Sequence, residues 1–130
     1  MEVPPGNLIE KDLDMLGKEQ IIHINLMNWI SYNYPEIYED TYHFANERRC
    51  SIQQGLLLKK MGVKSGVSDL FIAVPRNGYA GLWIELKSET GKLAKNQSDF
   101  ISRMLKRGYH AVCVWSLDSA KYEFKQYISC

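Results

Sequence analysis

The sequence predicts an α/β fold, one sheet with helices packed on it, and three observations carry that expectation. Hydrophobic spacing changes period along the chain in the order helix, strand, helix, hairpin, helix, strand. The 130 residues suffice for one core and are few for two domains. A composition of 45% hydrophobic and 24% charged residues excludes a disordered tail, a collagen-like rod and a disulfide-dense scaffold.

Residues 1–17 read as a loose acidic leader in which Pro4-Pro5-Gly6 opposes helix, and residues 18–130 as a single domain. Helical spacing runs from 18 to about 33, with Ile22, Leu26, Trp29 and Ile30 on one stripe. Glu19 continues that inward stripe, and Pro35 ends the helix. Residues 41–45 form a short strand. Asn46 is placed to cap a second helix to about 60, with Glu47 in its first turn. A glycine-rich connection, 61–68, leads to strands at 69–74 and 80–87, a hairpin around Pro75-Arg76-Asn77-Gly78-Tyr79. The clearest helix spans 94–107 and stops at Gly108; 109–115 is an apolar strand. Residues 119–127 fit either a closing strand or a helix.

Three scattered cysteines (Cys50, Cys113, Cys130) form no CxxC pair, and His23, His43 and His110 lack the spacing of an imidazole metal site. They read as packing or surface residues. No signal-peptide or membrane-length apolar run occurs, so a soluble intracellular protein is expected. Neither a Walker A loop nor GxGxxG is present, and no small-molecule cofactor is expected. The net charge of +1 conceals a division: −6 over residues 1–40 and +7 over 41–130. Such asymmetry prompts a search for a nucleic-acid partner.

The informative stretch is Gly66-Val67-Ser68-Asp69-Leu70 followed by Trp83-Ile84-Glu85-Leu86-Lys87. Alternation puts Leu82, Ile84 and Leu86 on one face of the strand and Trp83, Glu85 and Lys87 on the other. If Arg76-Asn77-Gly78 is a three-residue loop, paired residue numbers sum to 154 and Asp69 lies opposite Glu85. A five-residue loop preserves this register; an even loop would set Asp69 against Leu86. Facing carboxylates are destabilising unless a cation joins them, and a divalent metal supplies the reason. In the 94–107 helix, Gln97 falls near the centre of the apolar face of Leu93, Phe100, Ile101, Met104 and Leu105. A buried amide there needs polar partners; the other reading of Gln97 is a cap of the helix after Gly91-Lys92. Lys92, Lys95, Arg103, Lys106 and Arg107 flank that face, by base rate a solvated surface and, beside such a site, a phosphate track. Trp83 and Trp115 read as core aromatics.

The GVSDL segment, then Glu85-Leu86-Lys87, then Gln97 on a helix resembles the VRR-NUC domain, a branch of the PD-(D/E)xK nuclease superfamily. The resemblance runs from Glu19 to about Trp115. It implies a restriction-endonuclease-like core, a central mixed sheet flanked by helices. It further implies a DNA endonuclease using Mg²⁺ or Mn²⁺, cutting branched DNA such as Holliday junctions in repair or recombination. Homodimerisation and the cytoplasm of a bacterial or phage-infected cell are likewise implied. Asp69 and Glu85 would hold the metal, with the Leu86 carbonyl and, directly or through water, Glu19. Lys87 would orient water or contact phosphate, and Gln97 would position Lys87 or the water. The position four after the helix acid, often Gln in the family, is His23 here. Arg48 and Arg49, with Lys64, Lys92 and Lys95, are the candidate DNA contacts. Two further readings are a non-catalytic DNA-binding or assembly module on the same fold, and an RNA-directed nuclease.

Overall fold

The computed structural model of the protein describes residues 16–45 and 51–129. The structure has the predicted α/β architecture: a mixed four-stranded sheet in the order β1-β2-β3-β4, with flanking helices. Strands β1 (Thr41–His43), β2 (Leu70–Ile72) and β3 (Leu82–Leu86) are antiparallel neighbours, and β4 (His110–Val114) lies parallel to β3. A parallel neighbour requires a crossover, which α4 (Lys95–Lys106) supplies.

Helix α1 (Lys18–Asn33) and α5 (Leu117–Ile128) cover one face of the sheet. Leu26 and Ile30 of α1 and Ala120, Phe124 and Tyr127 of α5 pack there on Leu70, Ile72, Leu82, Ile84 and Leu86. The ambiguous segment is therefore a helix, capped by the Ser116 hydroxyl, which accepts from the Ser119 N–H at 3.0 Å. Its apolar residues at 120, 124 and 127 follow helical spacing and complete the core over the sheet. On the other face Trp83 meets Phe71, Phe44 and Phe100 at ring-centroid distances of 4.4, 5.4 and 4.9 Å.

Four local expectations are corrected. Pro35 ends α1 and then opens a one-turn helix, α2 (Pro35–Tyr38), at the first-turn position where its missing N–H costs nothing. The next helix, α3 (Ile52–Lys60), is capped by Ser51, whose φ of −64° and ψ of 162° are extended; Asn46 and Glu47 lie outside the described residues, as do leader residues 1–15. Ser51 and Gln54 satisfy each other's backbone N–H groups, the reciprocal capping box. Trp115 is exposed rather than in the core, and its indole N–H donates to the Gly91 carbonyl at 2.8 Å.

The hairpin loop is the fourth. Arg76 pairs with Tyr79 around a two-residue turn, in which Asn77 (φ 56°) and Gly78 (φ 82°) are both left-handed. That even loop alone would have moved Asp69 to face Leu86. Between the turn and the ladder, however, residues 73–75 stand against only 80 and 81, and this extra residue restores the offset. Leu70 therefore pairs with Ile84, the register expected, through a different loop.

Candidate active site

One step past the Leu70–Ile84 pair, Asp69 and Glu85 face each other at the end of the sheet. Asp69 is held from several directions. Its Oδ2 accepts from the Leu86 N–H at 2.7 Å, and its carbonyl accepts from the Phe44 N–H at 2.9 Å. His43 Nδ1 lies 3.0 Å from the same carbonyl; because a carbonyl only accepts, that nitrogen carries the proton.

The loop before Asp69 is fixed by Gly66, whose φ is +86° and whose missing Cβ would stand 2.8 Å from the Asn96 backbone oxygen. Only glycine meets both demands. The GVSDL loop is thereby seated against the first turn of α4, and Gln97 is brought to the site.

Glu85 is only 2% exposed and its Oε1 has no hydrogen-bond partner. Burial, a hydrogen bond with Asp69 and the like charge of Asp69 push its carboxyl up to about 9, with Lys87 opposing and Glu19 adding to the rise. At neutral pH the pair thus retains a proton. Lys87, 8% exposed on the same face of the chain, brings a buried cation beside the two acids. Cys113 pairs with Glu85 across β3 and β4. Burial and the neighbouring carboxylates push its thiol up to about 11, so it stays protonated and is no thiolate ligand.

A cleft of about 570 Å³ opens over these groups, and Glu19, Asp69, Glu85, Leu86, Lys87 and Gln97 all line it. The structure thus brings together the acid from α1, both hairpin acids, the lysine and the helix glutamine. Gln97 sits not in the middle of a buried face but at the third position of α4, half-buried, where its Oε1 accepts from the Ala94 N–H at 2.9 Å. Gln20 does the same for α1, accepting from the Gly17 N–H at 3.0 Å, and it too lines the cleft. The first turns of two helices therefore border one cleft, and their positive ends favour an anion there.

His23 and His43, read from sequence as packing or surface residues, also line the cleft with ring centroids 4.3 Å apart. Burial and the neighbouring His43 lower the pKa of His23, with Asp69 opposing. The β1–β2 register, which pairs His43 with Leu70, is the signal that places His43 beside Asp69. Sequence spacing carries no trace of it, because β1 and β2 are joined by a long connection.

Of the candidate DNA contacts, Lys64, Lys92 and Lys95 are exposed; Lys64 and Lys95 adjoin cleft residues in sequence, Lys92 stands two residues before Ala94, and Lys95 pairs with Asp99 at 2.9 Å. Arg48 and Arg49 lie outside the described residues. Arg103, Lys106 and Arg107 lie toward the opposite end of α4, roughly 9–15 Å along its axis from Gln97 at the usual helical rise. They do not border the cleft.

The donor set fits a hard divalent cation. It offers two opposed carboxylates, an orphaned buried Glu85 oxygen and backbone carbonyl groups. Among the described residues no group of three or more His, Cys, Asp or Glu side chains is placed to hold a metal ion, which leaves the two facing carboxylates. Mg²⁺ accepts so small a protein ligand set, because it binds through one or two carboxylates and fills its oxygen shell with waters and substrate phosphate.

The VRR-NUC domain family model matches residues 12–116. A solved structure of a VRR_NUC domain protein is 27% identical, with a TM-score of 0.77 over 88% of this chain and 90% of that one. No curated protein matches the chain. With the match spanning most of its length and the Asp69, Glu85, Lys87 and Gln97 cleft in place, the chain belongs to the VRR-NUC family of nuclease domains.

Proposed function

We propose that the protein is a divalent-metal-dependent DNA endonuclease, selective for branched DNA and acting as a homodimer. The observation that carries this reading is the facing Asp69–Glu85 carboxyl pair, in which buried Glu85 is held protonated against Asp69 and leaves one oxygen unpartnered. Such an arrangement destabilises the chain by itself and makes chemical sense as half of a cation site. Asp69 and Glu85 would hold Mg²⁺ or Mn²⁺, with the Leu86 carbonyl and Glu19. The ion would supply Lewis-acid activation of water and offset charge developing on the scissile phosphate.

The chain's own groups supply the rest. Lys87, beside the acids, orients water or holds a phosphate oxygen. Gln97 has its amide oxygen committed to the Ala94 N–H, so its NH₂ is the end that serves as donor toward Lys87 or water. The first turns of α1 and α4 attract the phosphate. Exposed Lys64, Lys92 and Lys95 bind the neighbouring backbone, a contribution that weakens with salt.

A cleavage panel of duplex, nicked, flapped, four-way and single-stranded DNA, with Mg²⁺ or Mn²⁺, tests the reading. Fastest cutting of the four-way junction, abolished by Glu85→Ala, is expected. Binding without cleavage under every metal condition would instead establish a non-catalytic module, and preference for an RNA junction an RNA-directed nuclease.

A further inference from the structure

Two of the three tryptophans are enclosed by the protein's own rings and cations. Trp83 meets Phe44, Phe71 and Phe100, and Trp29 meets Tyr34 and Phe124 with the Lys121 and Lys125 ammonium groups over it. Trp115 is 43% exposed, and among the described residues no ring or cation lies against it. A single exposed aromatic is ordinary on a protein surface. Trp115 is set apart by its tether and its place. Its indole N–H donates to the Gly91 carbonyl at 2.8 Å, and the Gly91 N–H in turn donates to the Ser88 carbonyl at 2.9 Å. The ring is thus fixed before anything binds, so stacking on it costs little side-chain entropy.

The same tether holds the ring beside the chemistry. Trp115 stands one step past the Leu86–Val114 pair, and the Lys87 N–H donates to the Val114 carbonyl at 2.9 Å. Gly91 lies between Lys87 and Ala94 in the chain, and both of those residues line the cleft. Exposed Lys92 follows it directly. A flat π-surface next to an anion-attracting cleft suits a nucleobase whose own backbone phosphate is held nearby. A base inside a duplex is already stacked on both faces and gains nothing from the ring. An unpaired base at a junction, flap or single strand has a face to offer at little cost.

We propose that Trp115 is a stacking platform for an unpaired DNA base beside the phosphate held in the cleft. The inference rests on the nuclease reading above and names a residue through which a preference for branched DNA acts. Binding measured by fluorescence anisotropy in EDTA tests it without any cleavage. The probes are a labelled single-stranded oligonucleotide, its duplex, and an abasic strand of equal length that keeps only the sugar-phosphate backbone. Trp115→Ala is expected to weaken single-strand binding about tenfold. Its affinity for the duplex and the abasic strand is expected to change by about twofold or less, since phosphate contacts are untouched. Trp115→Phe loses the bond to Gly91 but keeps a ring, and is expected to recover most of the single-strand affinity. Tyr122→Ala, which removes an exposed ring on α5 across the sheet, is expected to bind as wild type.

Equal weakening on all three probes, or no weakening on the single strand, overturns the proposal. So does a wild-type protein that binds no single strand. Trp115→Phe as poor as Trp115→Ala marks a structural role for the Gly91 bond and overturns it too. Should Trp115→Ala fail to fold, the single strand is expected to quench wild-type tryptophan fluorescence and Trp115→Phe to lose that quench. A quench retained in Trp115→Phe overturns the platform. A protein that stacks bases on Trp115 yet cuts nothing with Mg²⁺ or Mn²⁺ keeps the platform and loses the nuclease reading. One that cuts branched DNA while Trp115→Ala binds every probe as wild type does the reverse.

Discussion

The two ends of the β2–β3 hairpin follow opposite rules. At the turn, polar groups answer one another within the chain: Asn77 donates from Nδ2 to the Tyr127 carbonyl at 3.1 Å, and the Tyr127 hydroxyl donates to the Val74 carbonyl at 2.7 Å. At the open end Asp69 and Glu85 face each other, Glu85 Oε1 has no partner, and its carboxyl is pushed up to about 9. The same hairpin thus carries a turn end where Asn77 and Tyr127 are paired and an open end where the Glu85 carboxyl is not fully paired. A buried group left unpartnered by the fold marks where a ligand completes it.

Substitutions at the two ends should separate these rules. The largest effect is expected for Glu85→Ala, which should lower the cleavage rate by about 10³-fold or more, some 4 kcal/mol on the barrier. Single-turnover cleavage of a four-way junction measures it, and retention of activity within tenfold would refute the contrast. Glu85→Gln should abolish cleavage equally yet stabilise the metal-free protein. The folded carboxyl titrates near 9 against an ordinary 4.5, so the folded chain keeps a proton that the unfolded chain releases. The Glu85 contribution to stability is therefore full below 4.5 and lost as pH rises toward 9. Thermal melts in EDTA should show Tm falling across that window in wild type, less so in Glu85→Gln, which melts about 5 °C higher at pH 8. Added Mg²⁺ should reverse the order by stabilising only wild type.

Gly66→Ala is expected to cost about 2–3 kcal/mol in stability, because a Cβ there meets the Asn96 backbone and the positive φ is strained. Cleavage should fall with it, since the loop carries Asp69. At the satisfied end Asn77→Ala should cost about 1–2 kcal/mol, combining left-handed strain with a lost hydrogen bond. Asn77→Gly keeps the turn and should cost about 1 kcal/mol or less. Neither should change the cleavage rate constant of the folded protein; a tenfold loss would mean the turn end also serves the chemistry.

Much of this site was legible in advance. Period-2 alternation set Glu85 and Lys87 on one face of β3, and the GVSDL spacing singled out Asp69. Some of the rest was readable but ambiguous. Ser51-Ile52-Gln53-Gln54 spells a capping box, yet Asn46 is an equally good cap by residue type. Gln97 reads from sequence either as a buried amide, by its angle, or as a helix cap, and the cap is what forms. The hairpin register came out as expected although its loop did not: a two-residue turn and one extra residue at 73–75 together give the offset of a three-residue loop. Arg103, Lys106 and Arg107 were grouped with Lys92 and Lys95 by face alone, and helix length carries them away from the cleft.

The sequence by itself determined which face each side chain takes, because alternation and helical period depend only on near neighbours along the chain. It also pointed to Glu19, Asp69, Glu85, Lys87 and Gln97 by spacing, and all five line the one cleft. Only the tertiary structure decided that His43 touches Asp69 and that Trp115 faces solvent. Pairing across long connections and burial are properties of the whole packed chain, and no local pattern encodes them.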